Sequence, residues 1–359
     1  MASILDLIRQ SGISVERCQR HTLDAEDFLP LPEGTSDQTE SVFENPKPGQ
    51  AIQTLKPLGA GLPTALRYFI DGSRRVQKVA DIVFGGRFFP MVAGQIGVAV
   101  TERAPDTGKT CPLRDFVTIQ NLIALPNRLH DEVPDIQARL DAQHPVAFRV
   151  VEYETGHADR NPHDLAVIKI MEEMLTCEID TVVRLADSGR LGPDRMLVRD
   201  GPLQFRRTIP KLAAYEHVIG LSKTFSTNAP LKRGARPLDV GSLTKDLDLY
   251  DRTQCYRLQM SDKSIGFWYL RLHPHNRMPN PLDGVVKVEK IIQTYETDGV
   301  ERERVDVLSQ YLFEERNVTP YSTDHRWANH IYPVYLTERF LKASLESDLK
   351  FGGYFREIR

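Results

Sequence analysis

The apolar positions of this chain fall into short runs whose spacing changes along its length. Residues 3–10 have the spacing of a short amphipathic helix, and 30–50, rich in Pro, Gly, Ser, Thr and acids, reads as loop or linker. Apolar runs at 65–70, 78–86 and 88–101, with Gly85-Gly86 between the last two, predict three strands joined by tight turns. The stretch 104–145 mixes polar turns with short helical pieces and reads as an insertion, followed by a strand at 145–153. Helical periodicity is strongest over 163–187, where Leu165, Ile168, Met171, Met174, Leu175, Val182 and Leu185 share one face. Gly189, Gly192 and Pro193 end that helix before a strand at 196–199. A helical segment near 209–217, strands at 218–223, 266–272 and 285–288, and a final helix near 334–348 complete the pattern.

Composition narrows the class. With 359 residues, 41% hydrophobic and 26% charged, the chain can bury a large core. Its net charge of −3 provides no global basic field, so nucleic-acid binding needs a local patch. Cys18, Cys111, Cys177 and Cys255 are too scattered for a zinc knuckle or a disulfide framework. No apolar run approaches the roughly 18 residues of a membrane span, and no signal-peptide core precedes residue 30, so the expected location is the cytoplasm. The expected organisation is an N-terminal helix and linker over 1–60, suited to partner docking, a main domain over 61–348 and a tail over 349–359.

Two runs carry the candidate chemistry. Phe69-Ile70-Asp71-Gly72-Ser73 and Leu197-Val198-Arg199-Asp200-Gly201 each take an apolar strand into an Asp-Gly pair, which by itself is a common turn. Between them lies the long helix, whose buried stripe contains Glu178, spaced four and seven residues from Met174 and Met171. A carboxylate on such a stripe needs a metal or a cationic partner such as Arg184 or Arg206. Acid-ended strand, two strands, acid-bearing helix and acid-ended strand is the connectivity of a ribonuclease-H-like α/β core. Its mixed sheet would be flanked by helices, with a large insertion between the third strand and the acid-bearing helix. Converging carboxylates of this kind hold two divalent ions about 4 Å apart for phosphodiester cleavage. Arg74 and Arg75 follow the first Asp-Gly and Arg206 and Arg207 the second, where they could meet phosphates; Lys232, Arg233 and Arg236 form a further basic group. Thr107-Gly108-Lys109-Thr110 lacks the earlier glycine of a phosphate-binding loop, and Gly59-Ala60-Gly61 precedes a strand instead of following one, so neither indicates nucleotide binding. His273 and His275 lack a third ligand nearby and read as loop residues.

In order, Asp71-Gly72-Ser73, Glu178, Asp200-Gly201-Pro202-Leu203, Gly220-Leu221-Ser222-Lys223, Phe267-Trp268-Tyr269 and Tyr332-Pro333-Val334-Tyr335-Leu336 resemble the successive motifs of the NurA nucleases. The resemblance implies a ribonuclease-H-like, Piwi-related fold and a manganese-dependent (or magnesium-dependent) DNA nuclease with two ions bound. It also implies a homodimer working with a hexameric HerA-type ATPase in DNA repair or defence against phage. Asp71, Glu178 and Asp200 would then be metal ligands and Lys223 a contact to the scissile phosphate. The family's C-terminal histidine falls on Phe340, which leaves His330, Glu338, Asp324 or His325 to supply a fourth ligand. That departure also suits an alternative, a weak or silent DNA-binding subunit that docks on and regulates the ATPase ring.

Overall fold

The structure, a computed structural model, describes residues 3–16, 18, 21–22, 41–58, 64–156, 160–205, 208–227, 231–233, 236–319 and 325–356. The principal strands in chain order are β1 (Leu66–Phe84), β2 (Arg87–Arg103), β3 (Thr110–Pro126), β4 (Arg149–Tyr153), β5 (Met196–Asp200), β6 (Val218–Ser222), β7 (Tyr256–Gln259), β8 (Ser264–Arg271) and β9 (Val285–Ile291). Seven α-helices accompany them among the described residues: α1 (Ile4–Arg9), α2 (Val133–Gln143), α3 (Pro162–Asp187), α4 (Val240–Lys245), α5 (Arg302–Glu314), α6 (Tyr332–Ser344) and α7 (Asp348–Gly353). The chain is thus α/β, with a large mixed sheet in the order β7-β8-β9-β6-β5-β1-β2-β3-β4 flanked by helices. β1, β5 and β6 run parallel to one another, β3 and β4 are parallel, and the other neighbours in this order are antiparallel.

The three strands expected over 65–101 are two. Asp71 and Gly72 pair with Ala99 and Val98 in a ladder that keeps one register from Tyr68 to Lys78, so this Asp-Gly is no turn and Asp71 sits within a long strand. The polar residues from Asp71 to Gln77 hide the strand from a hydrophobicity reading, although Asp71, Ser73 and Gln77, on one face of it, are buried. Only Gly85-Gly86 turns the chain, with φ of +56° and +73° that favour glycine. The expected insertion over 104–145 also differs: it contains β3, an integral strand whose N-terminal half carries exposed polar residues, followed by α2.

Helices cover both faces. A side chain at Gly94 would meet Ile170 of α3 at 2.7 Å, whereas one at Gly97 would meet Leu341 and Leu345 on the α6 side at 3.2 Å. Positions 94 and 97 of one strand point to opposite faces, so α3 and α6 lie on opposite sides of the sheet. Tyr68, Ile70, Leu197 and Val218 share a core with Ile179 and Val182 of α3. Phe69, Val198, Ile219 and Leu221 share another with Leu308 of α5 and Val334 beside them. We expect Gly94→Ala to cost about 1–3 kcal/mol by forcing α3 off the sheet, measurable by urea denaturation. The ends of the chain join this body: Ile4, Leu5, Leu7 and Ile8 of α1 pack with Ile82, Phe351 and Phe355. Arg252, fully buried, reaches Glu44 at 2.8 Å and Asp306, tying the segment around Glu44 to the main sheet.

Candidate functional site

Parallel register creates the site. Val198 lies beside Phe69 and Arg199 beside Ile70, so one step further Asp200 lies beside Asp71. Alternation then sorts the side chains by face. Asp71 and Asp200 follow Phe69 and Val198 onto the α6 face, whereas Gly72 and Arg199 belong to the α3 face. β5 stops at Asp200 because Gly201, at φ +106°, bends the chain and donates its N–H to the Leu221 carbonyl at 2.8 Å. Lys223, the residue after β6, arrives on the α6 face with its Nζ 2.7 Å from Asp200 Oδ2. Asp200 Oδ1 is buried and has no hydrogen-bond partner among the described residues. Asp71 is 7% exposed, and its Oδ1 accepts the Gly72 N–H at 2.8 Å.

A third carboxylate on this face comes from α6. The Thr337 and Thr101 hydroxyls share a hydrogen bond of 2.6 Å, and Thr101 pairs with Phe69, which holds the helix over the strand that bears Asp71. Glu338, the next residue, is half-buried with Oε1 2.7 Å from Lys342 Nζ. His330 is buried just before α6 and adds its positive field to Glu338 when protonated.

These groups act on one another. Burial, then the charge of Asp200, pushes the Asp71 carboxyl well above the usual carboxylate range; Lys223 opposes the shift and Glu338 adds to it. Burial alone would lower the Lys223 ammonium, but Asp200 and Asp71 hold it above its ordinary value. Burial opposes ionisation of Glu338, yet Lys342 and Lys223 keep its carboxyl low. Lys223 meets Asp200 and Lys342 meets Glu338, which leaves Asp71 without an ion pair among the described residues. Carboxylate oxygens suit a hard cation such as Mg²⁺ or Mn²⁺, and the unpartnered Asp200 Oδ1 is a donor atom of the right kind. The fit is partial: among the described residues no three His, Cys, Asp or Glu side chains are grouped closely enough to hold a metal ion.

Glu178 lies elsewhere. It is 4% exposed on the α3 face, where its Oε2 accepts Arg199 Nε at 3.0 Å and Nη2 at 2.5 Å. Its other oxygen fills the space over the Gly72 backbone, since a Cβ there would stand 2.1 Å from Oε1. The sheet therefore separates Glu178 from the Asp71 and Asp200 side chains, although the charge of Asp200 still acts on it. Its partner is Arg199, not Arg184, which donates to the Asp115 carbonyl.

The arginines expected at phosphates divide in the same way. Arg74 is half-buried within the field of Glu178, and Arg75 pairs with Asp348 at 3.0 Å. Arg206, Arg207 and Asp324 lie outside the described residues, as do the side chains of Lys232, Arg233, Arg236 and His325. The buried His273 contacts the Trp327 ring, and burial pushes its imidazole down to about 4, which fits a core residue. Arg199 was missed from sequence as the partner of Glu178. Its position, directly before Asp200 and opposite a helix acid, was the signal available. Among the described residues no helix is long and apolar enough to cross a membrane. In comparison with known proteins, the chain matches no protein-family model and no curated protein.

Proposed function

We propose that this protein is a metal-dependent deoxyribonuclease with a ribonuclease-H-like core, carrying its chemistry on Asp71, Asp200, Glu338 and Lys223. The observation that carries the reading is the side-by-side placement of Asp71 and Asp200 on adjacent parallel strands, with Lys223 of the third parallel strand's end against Asp200. The order β3-β2-β1-β5-β6, with β1, β5 and β6 parallel, supports the fold assignment. Asp71, Asp200 and Glu338 would hold Mn²⁺ or Mg²⁺, which when bound supplies an activated water and a counter-charge for the leaving oxygen. Lys223, released from Asp200, would neutralise charge on the phosphate. Glu178, held by Arg199, would support the strand that carries Asp200. DNA is the proposed substrate, and a homodimer on a HerA-type ATPase ring is the proposed assembly.

One observation favours a second reading, a silent DNA-binding subunit: Lys223 and Arg199 already neutralise Asp200 and Glu178. Titration of Mn²⁺ into the protein by calorimetry separates the two, because a silent subunit would bind no ion at this cluster. We expect Glu338→Gln to weaken Mn²⁺ binding by about tenfold or more and Glu178→Gln to change it by less than about threefold. The reverse ranking would return the ligand role to Glu178.

A further inference from the structure

The outer surface of α6 continues outward from the acid cluster, which it meets through Lys342. Tyr332, Tyr335, Arg339 and Lys342 are spaced i, i+3, i+7 and i+10, which places them on one stripe of the helix. Tyr332 is 53% exposed, a large aromatic surface facing solvent, and its ring centroid stands 6.3 Å from that of Tyr335 with planes inclined by 36°. The Arg339 guanidinium lies over the Tyr335 ring at 5.8 Å, and one of its N–H groups points to the Tyr335 hydroxyl at 3.4 Å. Lys342 follows on the same side, paired with Glu338 of the cluster. Two rings and two cations therefore share the helix that carries Glu338, whose charge acts on Asp71.

We propose that this stripe is the track along which single-stranded nucleic acid reaches Asp71 and Asp200. Tyr332 and Tyr335 stack unpaired bases, and Arg339 and Lys342 meet the phosphates. Rings accept any base because every base has a π-face, and cations follow the backbone, so the track is selective for single strands without reading sequence. Paired bases inside a duplex offer no free faces to the rings. The Lys342 charge offsets Glu338, which would otherwise repel the backbone at the entrance to the site. What the track leads to rests on the nuclease reading; the binding itself does not.

The test is fluorescence anisotropy of a labelled oligothymidine and of a blunt duplex, with the full chain in EDTA so that nothing is cut. Tyr332→Ala combined with Tyr335→Ala should weaken single-strand binding by about tenfold or more, while duplex affinity stays within about twofold. Tyr332→Phe combined with Tyr335→Phe, which keeps the rings, should retain most of the affinity. Arg339→Ala with Lys342→Ala should reduce the slope of log affinity against log salt by about 1.4. If the double alanine variant is destabilised, Tyr332→Ala alone serves, since that side chain is exposed. Single-strand affinity unchanged by loss of the rings would overturn the track, as would a wild type that does not bind single strands. Cleavage that depends on Asp200 but not on the tyrosines would leave the nuclease reading standing without the track. Ring-dependent binding without any metal-dependent cleavage would do the opposite.

Discussion

Arg199→Ala is expected to lower stability by about 3–5 kcal/mol, and the melting temperature by on the order of 5–10 °C. The variant removes the guanidinium that meets Glu178 Oε2 through two N–H groups and that also donates to the Pro202 carbonyl at 2.5 Å. A carboxylate that is 4% exposed would then stay buried without its cation. The sign of the pH dependence follows. Burial already raises the Glu178 carboxyl, and Arg199 opposes that shift, so losing Arg199 raises it further. A raised carboxyl favours the fold below its unfolded value and loses that contribution as pH rises through its folded value. The deficit of the variant should therefore shrink as pH falls into the ordinary carboxylate range and grow as pH rises through the raised folded value of Glu178.

Glu178→Leu combined with Arg199→Met should recover most of the lost stability, because an apolar pair of similar volume avoids desolvating two charges. The double variant also has a functional use. Metal-dependent cleavage that survives in it would identify the pair as support for the sheet; cleavage lost in a stable double variant would restore Glu178 to the chemistry. Thermal melts monitored by circular dichroism, paired with the cleavage assay, give both answers on the same protein.

The sequence revealed the elements nearest the site and concealed how faces divide them. α3, β5, β6 and β8 follow their apolar periodicity closely, because each buries its stripe or faces against a neighbouring layer. The sequence ends β1 at Asp71, because Asp-Gly is turn chemistry and the next residues are polar; continued pairing with β2 overrides that preference. β3 was hidden because its N-terminal half exposes polar residues and lacks a clean alternation. Register explains the rest. The helical stripe shows that Glu178 faces the sheet, but only the pairing of β1 with β5 shows that Asp71 and Asp200 point to the other face. Glu338 was one of several candidates, and nothing in its local sequence separated it from His330; the packing of α6 over β1 does.

The second large effect concerns Asp200. Asp200→Asn keeps the size of the side chain and removes the charge that Lys223 meets at 2.7 Å, on a group near the edge of the cluster rather than in the core. The fold should survive, with Mn²⁺ binding weakened and DNA cleavage reduced by about a thousandfold or more, since a carboxylate that holds a catalytic ion has no neutral substitute. Lys223 freed from Asp200 would not rescue the rate, because a cation already present cannot supply an activated water.

The most direct measurement is cleavage of end-labelled single-stranded and duplex DNA, with Mn²⁺ or Mg²⁺ and with EDTA, by wild-type protein and by Asp200→Asn purified in parallel and shown to melt cooperatively. The account predicts metal-dependent cleavage by the wild type, none in EDTA, and a loss of about a thousandfold or more in the variant. Equal cleavage by the two proteins, or none by the wild type with either metal both alone and with a HerA-type ATPase, would contradict it.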